Sequence, residues 1–137
     1  MKSFSNCTAL VVDDSSTMRR LMNITLEQLG MTIEFADCGN DALALIKTRA
    51  YDIVFLDVIL PDVDGYRVCK TIKGDKLSRN IPVILLTSRD SAFDKVRGKM
   101  SGANSYLTKP LDRAVLLEAI KRHLPAGSIP NAVASTS

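Results

Sequence analysis

Five short apolar runs, each followed by an amphipathic stretch, constrain this chain more than any other feature. Ala9-Leu10-Val11-Val12, Ile53-Val54-Phe55-Leu56 and Val83-Ile84-Leu85-Leu86 are uninterrupted, as strands buried on both faces would be. Met31 to Ala36 alternates apolar and polar, the pattern of a half-exposed edge strand. Ser105-Tyr106-Leu107 makes a short fifth strand. Met18, Leu21, Met22, Leu26 and Leu29 recur at helical spacing, and Gly30 supplies a stop. Ala42, Leu45 and Ile46 mark a second helix, and Tyr66 to Ile72 a third after a loop punctuated by Pro61 and Gly65. Ser91-x-x-Asp94 reads as a capping box for a helix running to Met100 and closed near Gly102. Leu111 to Leu124 is the last helix, with Leu116, Ala119 and Ile120 inward. Strict alternation predicts an α/β fold, a doubly wound five-stranded parallel sheet with helices on both faces. The edge-like second strand predicts strand order 2-1-3-4-5. Ligands then bind where that order reverses, at the carboxyl ends of the first and third strands.

Chemistry gathers at those ends. The first strand runs into Asp13-Asp14, the third into Asp57, the fourth into Thr87-Ser88 and the fifth into Lys109-Pro110. Taken singly, each has a plain reading. Asp13-Asp14-Ser15-Ser16 would cap the first helix, Asp57 would cap a turn, Thr87 would be a strand-end hydroxyl and Lys109 a solvated lysine. Four strand ends on one edge change the reading, because independent caps rarely share an edge. Three close carboxylates repel one another, and a hard divalent cation removes the conflict. An all-oxygen ligand set favours Mg²⁺, which also accepts a phosphate oxygen. Lys109 supplies a point charge for a second phosphate oxygen and Thr87 a hydroxyl for another. Asp57 is placed as the nucleophile that forms an acyl phosphate.

The totals narrow the classes further. A chain of 137 residues fits one domain, expected over 1–124, with 125–137 as a small, polar, disordered tail. A net charge of +3 with no basic run of five excludes a nucleic-acid groove. Cys7, Cys38 and Cys69 are far apart and form no CxxC pair, so free thiols in a reducing, cytoplasmic setting are expected. One histidine excludes a multi-histidine metal site, and no apolar run reaches membrane length. A haloacid-dehalogenase-type phosphatase needs an acid where Ile59 stands. A dinucleotide fold needs glycines where Asp13-Asp14-Ser15-Ser16 stands. A flavodoxin-like carrier would meet phosphate repulsion from the same acids. Asp62-x-Asp64-Gly65 is similar to a calcium loop but lacks its first acid and its glutamate.

Val11-Val12-Asp13-Asp14-Ser15, Phe55-Leu56-Asp57 with Pro61 and Gly65, Leu86-Thr87-Ser88 and Tyr106-Leu107-Thr108-Lys109-Pro110 together resemble the receiver domain of two-component response regulators, of the single-domain CheY-like kind. The resemblance spans about residues 7–124. It implies Asp57 as phosphoacceptor and Asp14 as a direct Mg²⁺ ligand. Asp13 would act directly or through water, and Ile59 would lend its backbone carbonyl. It implies Thr87 and Lys109 on the phosphoryl group, Tyr106 as a switch aromatic, and a cis Lys109–Pro110 bond. Ile59 stands where many members carry a polar residue, and is expected to screen attacking water. Arg89, two after Thr87, would act on the same step. The implied protein is not an enzyme in its own right. It is the substrate of a histidine kinase or histidine phosphotransfer protein, monomeric or weakly dimeric.

The output implied is changed affinity for a downstream protein target through the fourth helix, fifth strand and fifth helix. That face is expected to carry Arg89, Lys95, Arg97 and Lys99, with Leu117 as a contact and His123 as a helix-end residue. The segment Asp94 to Lys99 followed by Tyr106 to Leu111 resembles twitching-motility regulators. A phosphorelay shuttle, a phosphate sink, or the receiver module of a longer transcription factor or cyclase are the alternatives within the family.

Overall fold

The computed structural model describes residues 4–88 and 92–124. The elements alternate without exception: β1 (Thr8–Val12), α1 (Ser16–Gln28), β2 (Thr32–Ala36), α2 (Gly39–Thr48), β3 (Ile53–Asp57), α3 (Gly65–Gly74), β4 (Val83–Thr87), α4 (Ala92–Met100), β5 (Ser105–Thr108) and α5 (Arg113–His123). The five strands form one parallel sheet in the order β2-β1-β3-β4-β5. The predicted order holds, and β2 is the half-exposed edge strand its alternation implied.

Side chains alternate across each strand, so the sheet has two apolar faces. Ala9, Val11, Ile53, Phe55, Ile84 and Leu86 pack with Met22 and Leu26 of α1 and Leu116 and Ile120 of α5. Leu10, Val12, Val54, Leu56, Val83 and Leu85 pack with Ala42 of α2 and Val68, Cys69 and Ile72 of α3. The three central strands are buried throughout apart from the first residue of β1, which is why they read as unbroken apolar runs.

Two boundaries differ from expectation. The last helix begins at Arg113 rather than Leu111, because Asp112 caps it by accepting the Ala114 N–H at 2.7 Å. The third begins at Gly65, where Asp64 accepts the Tyr66 N–H at 2.8 Å. Gly30 and Gly102 adopt φ of 82° and 91°, closing α1 and α4 as left-handed glycines do. Ser91 of the expected capping box, Arg89, and the expected tail at 125–137 lie outside the described residues.

Candidate functional site

The parallel sheet puts the carboxyl ends of β1, β3, β4 and β5 on one edge. Asp13 follows β1 and is fully buried. Its Oδ1 accepts the Ser15 N–H at 2.8 Å, which turns the chain into α1 and fixes the carboxylate. Asp57 ends β3, and its Oδ1 accepts the Ile59 N–H at 3.0 Å. Lys109 Nζ donates to Asp13 Oδ2 and Asp57 Oδ2, each at 3.0 Å, joining three strand ends through one ammonium. The Lys109 backbone N–H donates to the Thr87 carbonyl at 2.6 Å, which ties the lysine-bearing loop to the end of β4. The Lys109–Pro110 bond is cis. Asp14 is exposed beside this pair, and one oxygen each of Asp13, Asp14 and Asp57 lie within 4.8 Å of one another.

Burial pushes the Asp57 carboxyl above its ordinary value. The Ile59 N–H and Lys109 ammonium oppose that shift, while neighbouring Asp13 adds to it. Burial alone would lower Lys109, but the carboxylates of Asp13 and Asp57 outweigh it and the ammonium is held above the usual lysine value. Three carboxylates therefore face one cation. An all-oxygen, acid-rich set with a deficit of positive charge fits a hard divalent ion, and Asp13, Asp14 and Asp57 are the residues that could hold one.

Asp13, Asp14, Asp57 and Lys109 thus meet as the sequence predicts. Thr87 is buried at the end of β4, paired in register with Thr108. Ile59, whose backbone N–H bonds Asp57, is 53% exposed. Tyr106 lies one layer away, on β5 opposite Leu85. Its hydroxyl is 3.0 Å from that of Tyr66 on α3. Burial and this shared hydrogen bond push the Tyr66 phenol well up. Gly98 of α4 makes room for the Tyr106 ring: a Cβ there would meet ring carbons at 2.7 and 3.0 Å.

Sequence reasoning did not reach Tyr66 or Gly98 in these roles. Tyr66 read only as a helix residue, and a contact across forty positions leaves no local pattern. Arg97 departs from its expected place on the face of α4, β5 and α5: its guanidinium bonds Asp64 at 2.6 Å and lies over the Tyr66 ring at 4.5 Å, turned toward α3. Lys95 and Lys99 do line the hollow beside Tyr106. Leu117 is half-buried, and the ring of His123 sits 2.7 Å from the Ser105 hydroxyl.

Residues 9–121 match the family described as the response regulator receiver domain. The chain is similar to protein PilG of Pseudomonas aeruginosa, 42% identical over 85% of this chain and 87% of that protein. It also resembles the solved chemotaxis protein CheY4 of Vibrio cholerae, with 31% identity and a TM-score of 0.81 over 86% of this chain and 98% of the other. A third relative in structure is the receiver domain of sensor histidine kinase PA1611 from P. aeruginosa, solved with magnesium coordinated in its active-site cleft. It is 28% identical, with a TM-score of 0.79 over 85% of this chain and 96% of that one. Among the described residues no helix is long and apolar enough to cross a membrane. Strand order, acidic edge and similarity agree, and the chain belongs to the receiver domain family of two-component response regulators, whose members are phosphoacceptor switches.

Proposed function

We propose that Asp57 is the phosphoacceptor of this switch and that a histidine kinase or histidine phosphotransfer protein is the donor. The observation that carries this reading is the Lys109 ammonium, 3.0 Å from carboxylates on two different strands. Asp13, Asp14 and Asp57, with the Ile59 backbone carbonyl, would hold one Mg²⁺. When bound, that ion neutralises charge on the incoming phosphoryl oxygens. The Ile59 N–H fixes one Asp57 oxygen, so the carboxylate meets phosphorus in a set orientation. A bond forms from that carboxylate to phosphorus as the bond from phosphorus to the donor's imidazole nitrogen breaks, and the imidazole leaves with the electron pair. Lys109 then turns an N–H to a phosphoryl oxygen, and Thr87 offers its hydroxyl to another. Tyr106 follows Thr87 inward, and the face of α4, β5 and α5 changes its affinity for a downstream protein.

The domain carrying this activity spans residues 1–124 and works in the cytoplasm as a monomer or weak dimer. It has no turnover chemistry beyond its own phosphorylation and dephosphorylation. The resemblance of Asp94 to Lys99 and Tyr106 to Leu111 to twitching-motility regulators, with the similarity to a chemotaxis protein, favours a role in motility or chemotaxis signalling. The test is phosphorylation by acetyl phosphate, followed by intact mass. Wild type should gain one phosphoryl group in Mg²⁺ and none in a chelator. Asp57→Ala should gain none in either, and a labelled Asp57→Ala protein would overturn the assignment.

A further inference from the structure

A groove of about 540 Å³ runs between α3 and α4, on the side of α4 away from β5 and α5. Arg67, Lys70 and Thr71 of α3 form one wall, and Arg97 and Met100 of α4 the other, with Tyr66 at its head. Residues three and four apart share a helix face, so both walls are continuous along the helices. A second hollow of about 200 Å³ shares Tyr66 and Arg97 with the first and reaches Ile59 and Leu60 at the mouth of the acidic site. The two make one trough.

Its charge is one-sided. Arg97 is paired with Asp64 at 2.6 Å. Among the described residues no carboxylate is paired with Arg67 or Lys70, both exposed. Three cations thus line the groove, against Asp64 bonded to Arg97 and Asp94 near Tyr66 at its head. Beside them the outer face of α4 presents Phe93, Val96 and Met100, which are 74%, 55% and 77% exposed. These recur at i, i+3 and i+7, so they form an apolar stripe rather than scattered surface residues. Cations in a groove and an apolar stripe along its rim call for a partner with carboxylates and apolar side chains together. A nucleic-acid backbone would satisfy the first and leave the second in water.

We propose that the α3–α4 groove is a docking surface for an acidic amphipathic segment of a partner protein, its carboxylates on Arg67, Lys70 and Arg97 and its apolar side chains on Met100 and Phe93. This surface is separate from the face of α4, β5 and α5, and it exists in the unphosphorylated molecule. The test is therefore independent of whether Asp57 accepts a phosphoryl group.

The probe is a synthetic helical peptide of glutamates with leucines at i and i+4, titrated into the ¹⁵N-labelled full chain without phosphodonor. Amide shifts should concentrate in residues 64–71 and 93–101. The double variant Arg67→Glu/Lys70→Glu should weaken binding by about tenfold or more, and Met100→Ser should weaken it further. Lys95→Glu/Lys99→Glu, on the other side of α4, should leave it nearly unchanged. All five substitutions are at exposed residues, and amide dispersion checks that each variant remains folded. Several results would overturn the proposal: shifts gathered at Lys95, Lys99 and Tyr106, no saturable shift, equal binding of a glutamine-for-glutamate peptide, or tighter binding of a single-stranded oligonucleotide than of the peptide.

Discussion

Gly98 is the residue on which the placement of Tyr106 depends. An alanine there gains about 1 kcal/mol of helix propensity, yet its methyl must sit 2.7 Å from the Tyr106 ring and 3.3 Å from Leu85 Cδ1. Overpacking of that kind costs about 1–3 kcal/mol, so the clash wins. Gly98→Ala should lower Tm and displace the Tyr106 ring from Tyr66, read as lost contacts between the two rings by NMR. An unshifted ring would contradict the geometry. Ile59 allows a second residue-scale test. Its side chain is exposed, and its backbone N–H bonds Asp57. Ile59→Asn should therefore change the lifetime of the phosphorylated form and leave Mg²⁺ affinity nearly constant. Equal dephosphorylation rates would refute the screening role. The acids and Lys109 were legible in the sequence because each follows a recognisable strand. Tyr66 was not, because its partner comes from a strand whose neighbours are set only by tertiary packing.

Loops between elements here act mainly as caps. Asp62, an acid of the segment similar to a calcium loop, instead caps the start of α2. Cys38 at that helix start makes no side-chain cap, and Asp62 accepts the N–H groups of Gly39 and Asn40 at 2.8 and 2.9 Å. The Asn40 N–H, with those of Gly39 and Val63, holds its pKa at about 2. Asp64 caps α3 and pairs with Arg97. No local pattern marks a cap supplied across such a distance, so this part of the fold was not readable from the sequence. Gly65 shows what joins α3 to β3. A Cβ there would lie 2.3 Å from the Asp57 carbonyl oxygen and 2.5 Å from Val58 Cα. Both are backbone atoms with little room to give. Gly65→Ala should lose about 3 kcal/mol in urea unfolding, the upper end for overpacking, and slow phosphorylation by displacing Asp57. A change below about 0.5 kcal/mol, the level of ordinary surface substitutions, would contradict that close approach.

The join of β5 to α5 is tested by pH. Burial, then Arg122 and Lys73, lower the pKa of His123 below its usual 6.5. The unfolded chain binds that proton first as pH falls, so stability is full above 6.5 and declines as pH drops toward the folded value. His123→Gln should flatten the Tm profile in that window. An unchanged slope would count against the burial of the ring.

At the scale of the whole molecule, topology brings distant charges together. Asp13, Asp57 and Lys109 are separated by 52 and 96 positions along the two lysine contacts, and only a parallel sheet with the observed order makes them neighbours. Three carboxylates against one ammonium leave the native state short of positive charge. Added Mg²⁺ should therefore raise Tm, by the equivalent of about 2.7 kcal/mol at a hundredfold excess over Kd. Asp14→Asn should shrink that gain, whereas a Tm indifferent to Mg²⁺ would contradict the ligand set. The fold was legible at this scale because each central strand holds an unbroken run of four apolar residues and each helix carries one apolar stripe. The orientation of α4 was not, since apolar residues lie on its exposed face and glycine on its buried one.

The most direct measurement is to phosphorylate the chain with acetyl phosphate in Mg²⁺, reduce the product with borohydride, and locate the modified residue by peptide sequencing. We expect the mark at Asp57 alone, and only when the metal is present. A mark at Asp13 or Asp14, or labelling that persists in a chelator, would contradict the convergence of strand ends on a single phosphoryl-accepting carboxylate.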